Sequence, residues 1–249
     1  MSIWVLMSKE IREHVRTRRV VVLPAVFLFF GMLGPILLHV TPQILESQGI
    51  NITMPPPDPE DSAGEYFESI TIFGAVALIL VAMGAVAEEK ARGTIQLVMS
   101  KPVRRLDFLV AKFLIIALIA VGSIFVGGAA CLYYTELLIG SLNRAAFFAA
   151  LALLSLLLMF ILSLTILLST VLNSQVLAGG ASIAVTFGLG FLPALGGPMA
   201  EYTPHSLARV ANELLVSQAE GITAPVVATV SLTALMIVLT WVIFREQEL

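Results

Sequence analysis

Charged residues are scarce in this chain. Asp, Glu, Lys and Arg make up 12% of its 249 residues, 58% are hydrophobic, and the mean hydropathy is +0.97. Soluble domains carry about 25% charged residues, so the composition excludes an ordinary soluble domain and indicates a membrane protein. Cysteine is almost absent. Cys131 is the single one and falls inside an apolar run, which excludes an intrachain disulfide and leaves a small buried or lipid-facing residue. Motifs that carry chemistry are missing too. None of Lys9, Lys90, Lys101 and Lys112 follows a Gly-rich GxxxxG loop, so the chain does not bind ATP in the P-loop manner by itself. HExxH, CxxC and GxSxG do not occur, and the sequence offers no catalytic residue and no metal site. His205, near Glu201, has no other ligand type beside it and reads as a surface histidine. No internal repeat and no separate soluble domain are visible.

What the chain does have is long apolar runs. A spanning helix needs about 20 largely apolar residues, and six stretches qualify: 20–40, 70–87, 113–134, 145–171, 176–195 and 225–244. None of them contains Asp, Glu, Lys or Arg. The first is read as a retained span rather than a signal peptide, because the polar SKEIREHVRTRR precedes it and no small-residue cleavage site follows. The predicted fold is therefore all-α, a single polytopic membrane domain over 1–249.

Positive charge sets the predicted orientation. Lys9, Arg12, Arg16, Arg18, Arg19, Lys90, Arg92, Lys101, Arg104, Arg105, Lys112 and Arg245 fall on one side, and Arg144 and Arg209 on the other. Twelve against two predicts both termini and the loop between spans two and three in the cytoplasm, with the protein in the cytoplasmic (inner or plasma) membrane. Within 1–19, Ile3, Met7, Ile11 and Val15 recur every four residues beside Trp4, which predicts an amphipathic helix lying in the membrane interface. Pro55, Pro56, Pro57 and Pro59 in the first outer loop argue for an extended segment there. In 199–224, Leu207, Val210, Ala211, Leu214 and Leu215 keep helical spacing and predict an amphipathic outer segment.

The stretch 88–112, EEKARGTIQLVMSKPVRRLDFLVAK, is too polar for lipid and too patterned for a passive linker. Its helix-forming residues end at Pro102, which lacks an N–H and crowds the preceding turn. A short polar helix-turn-helix between two spans suits docking onto a soluble partner. In the fifth span Gly180, Ala184 and Gly188 fall four apart, a spacing that lets two helices approach closely, either within the chain or in a dimer. Ser123 and Gly127 repeat the pattern in the third.

Six spans with this loop resemble the permease subunit of the type-2 ABC exporters. The family pattern maps onto Glu88 and Glu89, Gly93 and Thr94, the apolar 95–99, Pro102, Arg105 and Lys112, and KEIRE at 9–13 resembles its interfacial helix. Val103 and Arg104 stand where relatives have one small polar residue, so Arg104 could serve in place of Arg105. The resemblance implies a cytoplasmic coupling helix between spans two and three, contacting its partner through Glu89, Gly93, Thr94, Lys101, Pro102, Arg104, Arg105 and Lys112. It also implies two separate ATPase subunits, which would hold the ATP and Mg, and a second copy of the chain or a similar permease. The competing readings are a stand-alone carrier or channel, for which the spans offer only scattered hydroxyls such as Ser155, Thr165 and Ser231, and an ABC-linked mechanical or assembly subunit with no cargo of its own.

Overall fold

A computed structural model describes residues 3–48, 56–99, 104–192, 201–216 and 221–247. Among them the structure is all helical. Helix α1 (Ile3–Arg16) turns at Arg18, which takes a left-handed φ of 57°, into α2 (Arg19–Ser47). Helix α3 (Pro59–Ser69) runs through a π turn (Ile70–Gly74) into α4 (Ala75–Ala82), followed by the short α5 (Ala87–Ala91) and α6 (Thr94–Met99). Then come α7 (Arg105–Leu138), α8 (Arg144–Val171), α9 (Gln175–Gly190), α10 (Ser206–Leu215) and α11 (Thr223–Glu246).

Among the described residues, five helical runs are long and apolar enough to cross a membrane: Arg19–Ser47, Pro59–Ala91, Arg105–Leu138, Arg144–Val171 and Thr223–Glu246. The fifth predicted span, 176–195, differs. Its helix ends at Gly190 after 16 residues, and 193–195 lie outside the described residues. At about 1.5 Å per residue that helix covers roughly 24 Å, less than a hydrocarbon core of about 30 Å. Gly188 and Gly190 weaken its end, because glycine loses most backbone entropy on entering a helix.

The first outer loop is also more helical than the prolines suggested. Helix α2 continues to Ser47, and Pro59 begins α3 instead of preventing it. At the first helical position the missing N–H has no partner to lose and the fixed φ suits the helix. Glu60 and Asp61 in the first turn complement the helix dipole.

Helix α8 is the centre of the bundle, with Leu151, Leu154, Leu157, Leu158, Ile161 and Leu162 fully buried. Helix α10 lies across its far end, burying Leu207, Val210, Ala211 and Leu215. His205, at the start of α10, is half-buried beside Gly190, and desolvation lowers its pKa below the usual imidazole value. Helices α2 and α7 cross in close backbone contact. A Cβ at Gly31 would overlap the Gly127 carbonyl, and one at Gly127 would overlap the Phe27 carbonyl and the Tyr66 hydroxyl. That hydroxyl donates to the Ile124 carbonyl at 2.9 Å, so the small residues admit both a backbone and a buried hydrogen bond.

Candidate functional site

The end of the bundle where the basic residues gather is built around a break in the second spanning run. Helix α4 stops at Ala82 and α5 starts at Ala87. Ser169 of α8 bridges the gap: its hydroxyl donates to the Met83 carbonyl at 2.8 Å and accepts from the Val86 and Ala87 amides at 3.1 and 3.0 Å. Three backbone groups orphaned by the break are thereby satisfied in a buried place. Ser169→Ala is expected to cost about 1–3 kcal/mol, since these groups lose their partner while staying buried. Hydrogen exchange should show it as faster exchange at the Val86 and Ala87 amides, with the core of α8 unchanged.

After α5 the chain turns at Gly93, whose left-handed φ of 67° suits glycine, and the Thr94 hydroxyl donates to the Glu89 carbonyl at 3.2 Å. Ile95 anchors α6 in a small second core with Val86, Phe108, Leu109 and Phe244. The rings of Phe108 and Phe244 stack at 5.6 Å between α7 and α11.

Glu89 and Lys112 are buried, at 7% and 2% exposure, and face each other. The Lys112 ammonium donates to Glu89 Oε1 at 2.8 Å and to Glu10 of α1 at 3.2 Å, and it lies 5.0 Å from the Phe108 ring centre. Lys9 joins from the rim, 2.6 Å from Glu89 and 3.1 Å from Glu10. Burial works against the charge on Lys9, but the Glu10 and Glu89 carboxylates outweigh it and raise its pKa. Carboxylate oxygens of Glu10, Glu13 and Glu89 come within 4.8 Å of one another, and the ammonium groups of Lys9 and Lys112 lie among them. Two lysines therefore do the neutralising that a cation would do.

Two of the residues expected to contact the partner lie in this cluster. Lys112 and Glu89 are buried and face α1, where each charge meets its counter-charge, because unpaired charges at the feet of apolar helices would be costly. Around them Glu88 pairs with Arg19 at 2.9 Å and Arg92 at 2.6 Å. Lys90 donates to the Thr170 carbonyl at the end of α8, and Gln247 reaches the same oxygen at 3.0 Å.

Arg105 is likewise occupied. Its Nη1 donates to the carbonyls of Phe244, Arg245 and Gln247 at 2.8, 2.7 and 2.9 Å, capping the end of α11. Arg104 is exposed, and no described residue forms an ion pair with it. Gly93 and Thr94 are exposed as well, whereas Lys101 and Pro102 lie outside the described residues. Gly180, Ala184 and Gly188 are not drawn into the bundle. All three are exposed or half-buried, with open space beside both glycines, while Ala178, Gly179, Ser182 and Thr186 face inward.

Sequence reasoning missed the inward face of α1. Leu6, Glu10 and His14 are buried at four-residue spacing, while Trp4, Ile11 and Val15 are exposed on the rest of the helix. Desolvation lowers the His14 pKa, with Lys112 and Arg19 adding to the effect and Glu10 and Glu13 opposing it. The available signal was a Leu-Glu-His stripe beside the apolar one, and a lone lysine at the start of an apolar run.

A family model described as ABC-2 family transporter protein matches residues 4–249, from α1 through α11. The chain belongs to the ABC-2 transporter family. It is a multi-pass membrane protein of that family, whose members are the membrane subunits of ABC transporters and associate with ABC ATPase subunits. An uncharacterized transmembrane protein of Bacillus subtilis (strain 168), YxlG, is 24% identical over 216 residues, covering 85% of this chain and 84% of the relative.

Proposed function

We propose that this chain is the permease subunit of an ATP-driven exporter, moving a substrate outward across the cytoplasmic membrane. Both termini and the coupling segment face the cytoplasm, where two separate ABC ATPase subunits bind the segment and carry the ATP and Mg. The chain itself performs no hydrolysis.

The observation that carries this reading is how the segment is held. Helices α5 and α6 hang below a break in a spanning run, yet α5 is tied sideways to α1 and to the foot of α7 through Glu89, Lys9, Glu10 and Lys112, and α6 packs Ile95 into the core with Phe108 and Leu109 of α7. A push on α6 reaches α1 and α7 together instead of bending a loose loop. Arg104, Gly93 and Thr94 offer exposed contact to the ATPase, and Lys101 and Pro102 are kept as contacts on the sequence reading alone. The outward stripe Gly180, Ala184 and Gly188 is the proposed packing seam for a second copy or a similar permease.

The direct test is a mild-detergent pull-down of the tagged chain from native membranes, with co-purifying proteins identified by mass. A stoichiometric P-loop ATPase is the expected result. Transport reconstituted from the chain alone, with no ATPase recovered, would overturn the reading. The two arginines then divide the roles. Arg104→Glu should reduce ATPase recovery several-fold with an unchanged melting temperature. Arg105→Glu should lower the melting temperature as well, because charged hydrogen bonds of about 1.5–3 kcal/mol leave the end of α11.

A further inference from the structure

Between the feet of α7, α8 and α11 lies an apolar slot of about 110 Å³, lined by Leu106, Leu109, Val110, Phe113, Ile237 and Trp241 among others. Leu106 and Ile237 are exposed lips, so the slot opens on the outside of the single chain. The two hydroxyls in its wall are already used: Ser163 donates to the Phe160 carbonyl at 2.8 Å and Thr240 to the Met236 carbonyl at 2.7 Å. Nothing in the lining asks for a polar ligand.

The mouth is different. Trp241 sits there with the Arg245 guanidinium 5.7 Å from its ring centre. Arg105 donates to the Arg245 carbonyl, and the exposed Arg104 is its neighbour in the chain, so the start of α7 and the end of α11 come together at one end of the slot. Asp107 and Glu246 carry opposing charge nearby in sequence, but the ion pairs of the described residues include neither of them and none of the three arginines. Elsewhere at this end Lys9, Arg19, Arg92 and Lys112 all have carboxylate partners.

We propose that this slot holds part of one acyl chain of an anionic phospholipid, with the phosphate drawn to Arg104 and Arg245. An apolar groove between spanning helices with unneutralised basic residues at its rim is the chemistry that selects an anionic headgroup. The aromatic ring of Trp241 marks the depth at which tail gives way to headgroup. The site requires that α7, α8 and α11 span a bilayer; Arg104 is shared with the proposed ATPase contact, so the test uses this chain without the ATPase.

Trp4 and Trp241 are the two tryptophans, so Trp4→Phe leaves a single reporter at the mouth. This protein is reconstituted in phosphatidylcholine vesicles doped with lipid brominated on the acyl chain, either phosphatidylglycerol or phosphatidylcholine. Brominated phosphatidylglycerol should quench Trp241 at a roughly fivefold lower mole fraction. Adding Arg104→Gln and Arg245→Gln should remove that preference, whereas Arg12→Gln and Arg16→Gln on α1 should leave it. Ser163→Leu, which fills the slot, should weaken quenching by both lipids. Equal quenching by the two lipids would overturn the proposal. So would a preference that survives the Arg104 and Arg245 changes, one that is lost equally with the α1 changes, or quenching indifferent to Ser163→Leu. The arginine variants alter exposed side chains, so the headgroup preference is measurable whether or not the core substitution folds.

Discussion

Lys112→Met is expected to be among the most destabilising single changes in the chain. It removes the only ammonium group within the buried part of the cluster and leaves Glu10 and Glu89 facing each other at 4% and 7% exposure. Breaking a buried ion pair from one side costs about 3–5 kcal/mol, because the abandoned charge stays desolvated. Lys9 reaches both carboxylates from its half-exposed position and recovers a part of this. The informative experiment is a thermal melt in detergent of Lys112→Met alone and combined with Glu89→Gln. The combined variant should melt higher than Lys112→Met, since the second change discharges the stranded carboxylate. Equal melting of the two would mean that Lys112 acts through packing on Phe108 rather than through charge.

Gly127→Val should be as damaging for an unrelated reason. Three atoms of side chain would enter a space already filled by the Phe27 carbonyl and the Tyr66 hydroxyl, and neither is the yielding end of a flexible chain. Overpacking in cores costs about 1–3 kcal/mol and occasionally more, and a backbone collision belongs at the upper end. The expected outcome is loss of monodisperse protein on size exclusion. Gly122→Val, on the same helix with open space around it, should behave as wild type within about 0.5 kcal/mol. If Gly127→Val also purified and melted normally, α2 and α7 would not cross where they are placed.

These two sites differ in how far the sequence announced them. Gly127 belonged to a visible Ser-xxx-Gly pattern on an apolar helix, although nothing in the pattern named Gly31 as its opposite number. Lys112 stands out in the sequence as the basic residue at the head of a span, where topology alone accounts for a lysine. What turns it inward is Glu10, 102 residues earlier, and no periodicity links residues so far apart. Apolar length revealed the spanning runs because lipid imposes it locally, helix by helix. The pinning of the break in the second run by Ser169 left no trace, since one serine in an apolar helix looks like any other. The extent of α3 is hidden by the prolines at 55, 56, 57 and 59, which argue together against a helix in the sequence although Pro59 occupies a position where proline favours one.

The Arg105 clamp has an evolutionary corollary. Its three acceptors are main-chain oxygens, which every amino acid supplies. Residues 245 and 247 can therefore drift among relatives without loosening it, and no pair of positions has to change in concert. Phe244 is held for a separate reason, its stack on Phe108. Covariation between α7 and the tail should accordingly report the ring pair and pass over the arginine, although both fasten the same two helices.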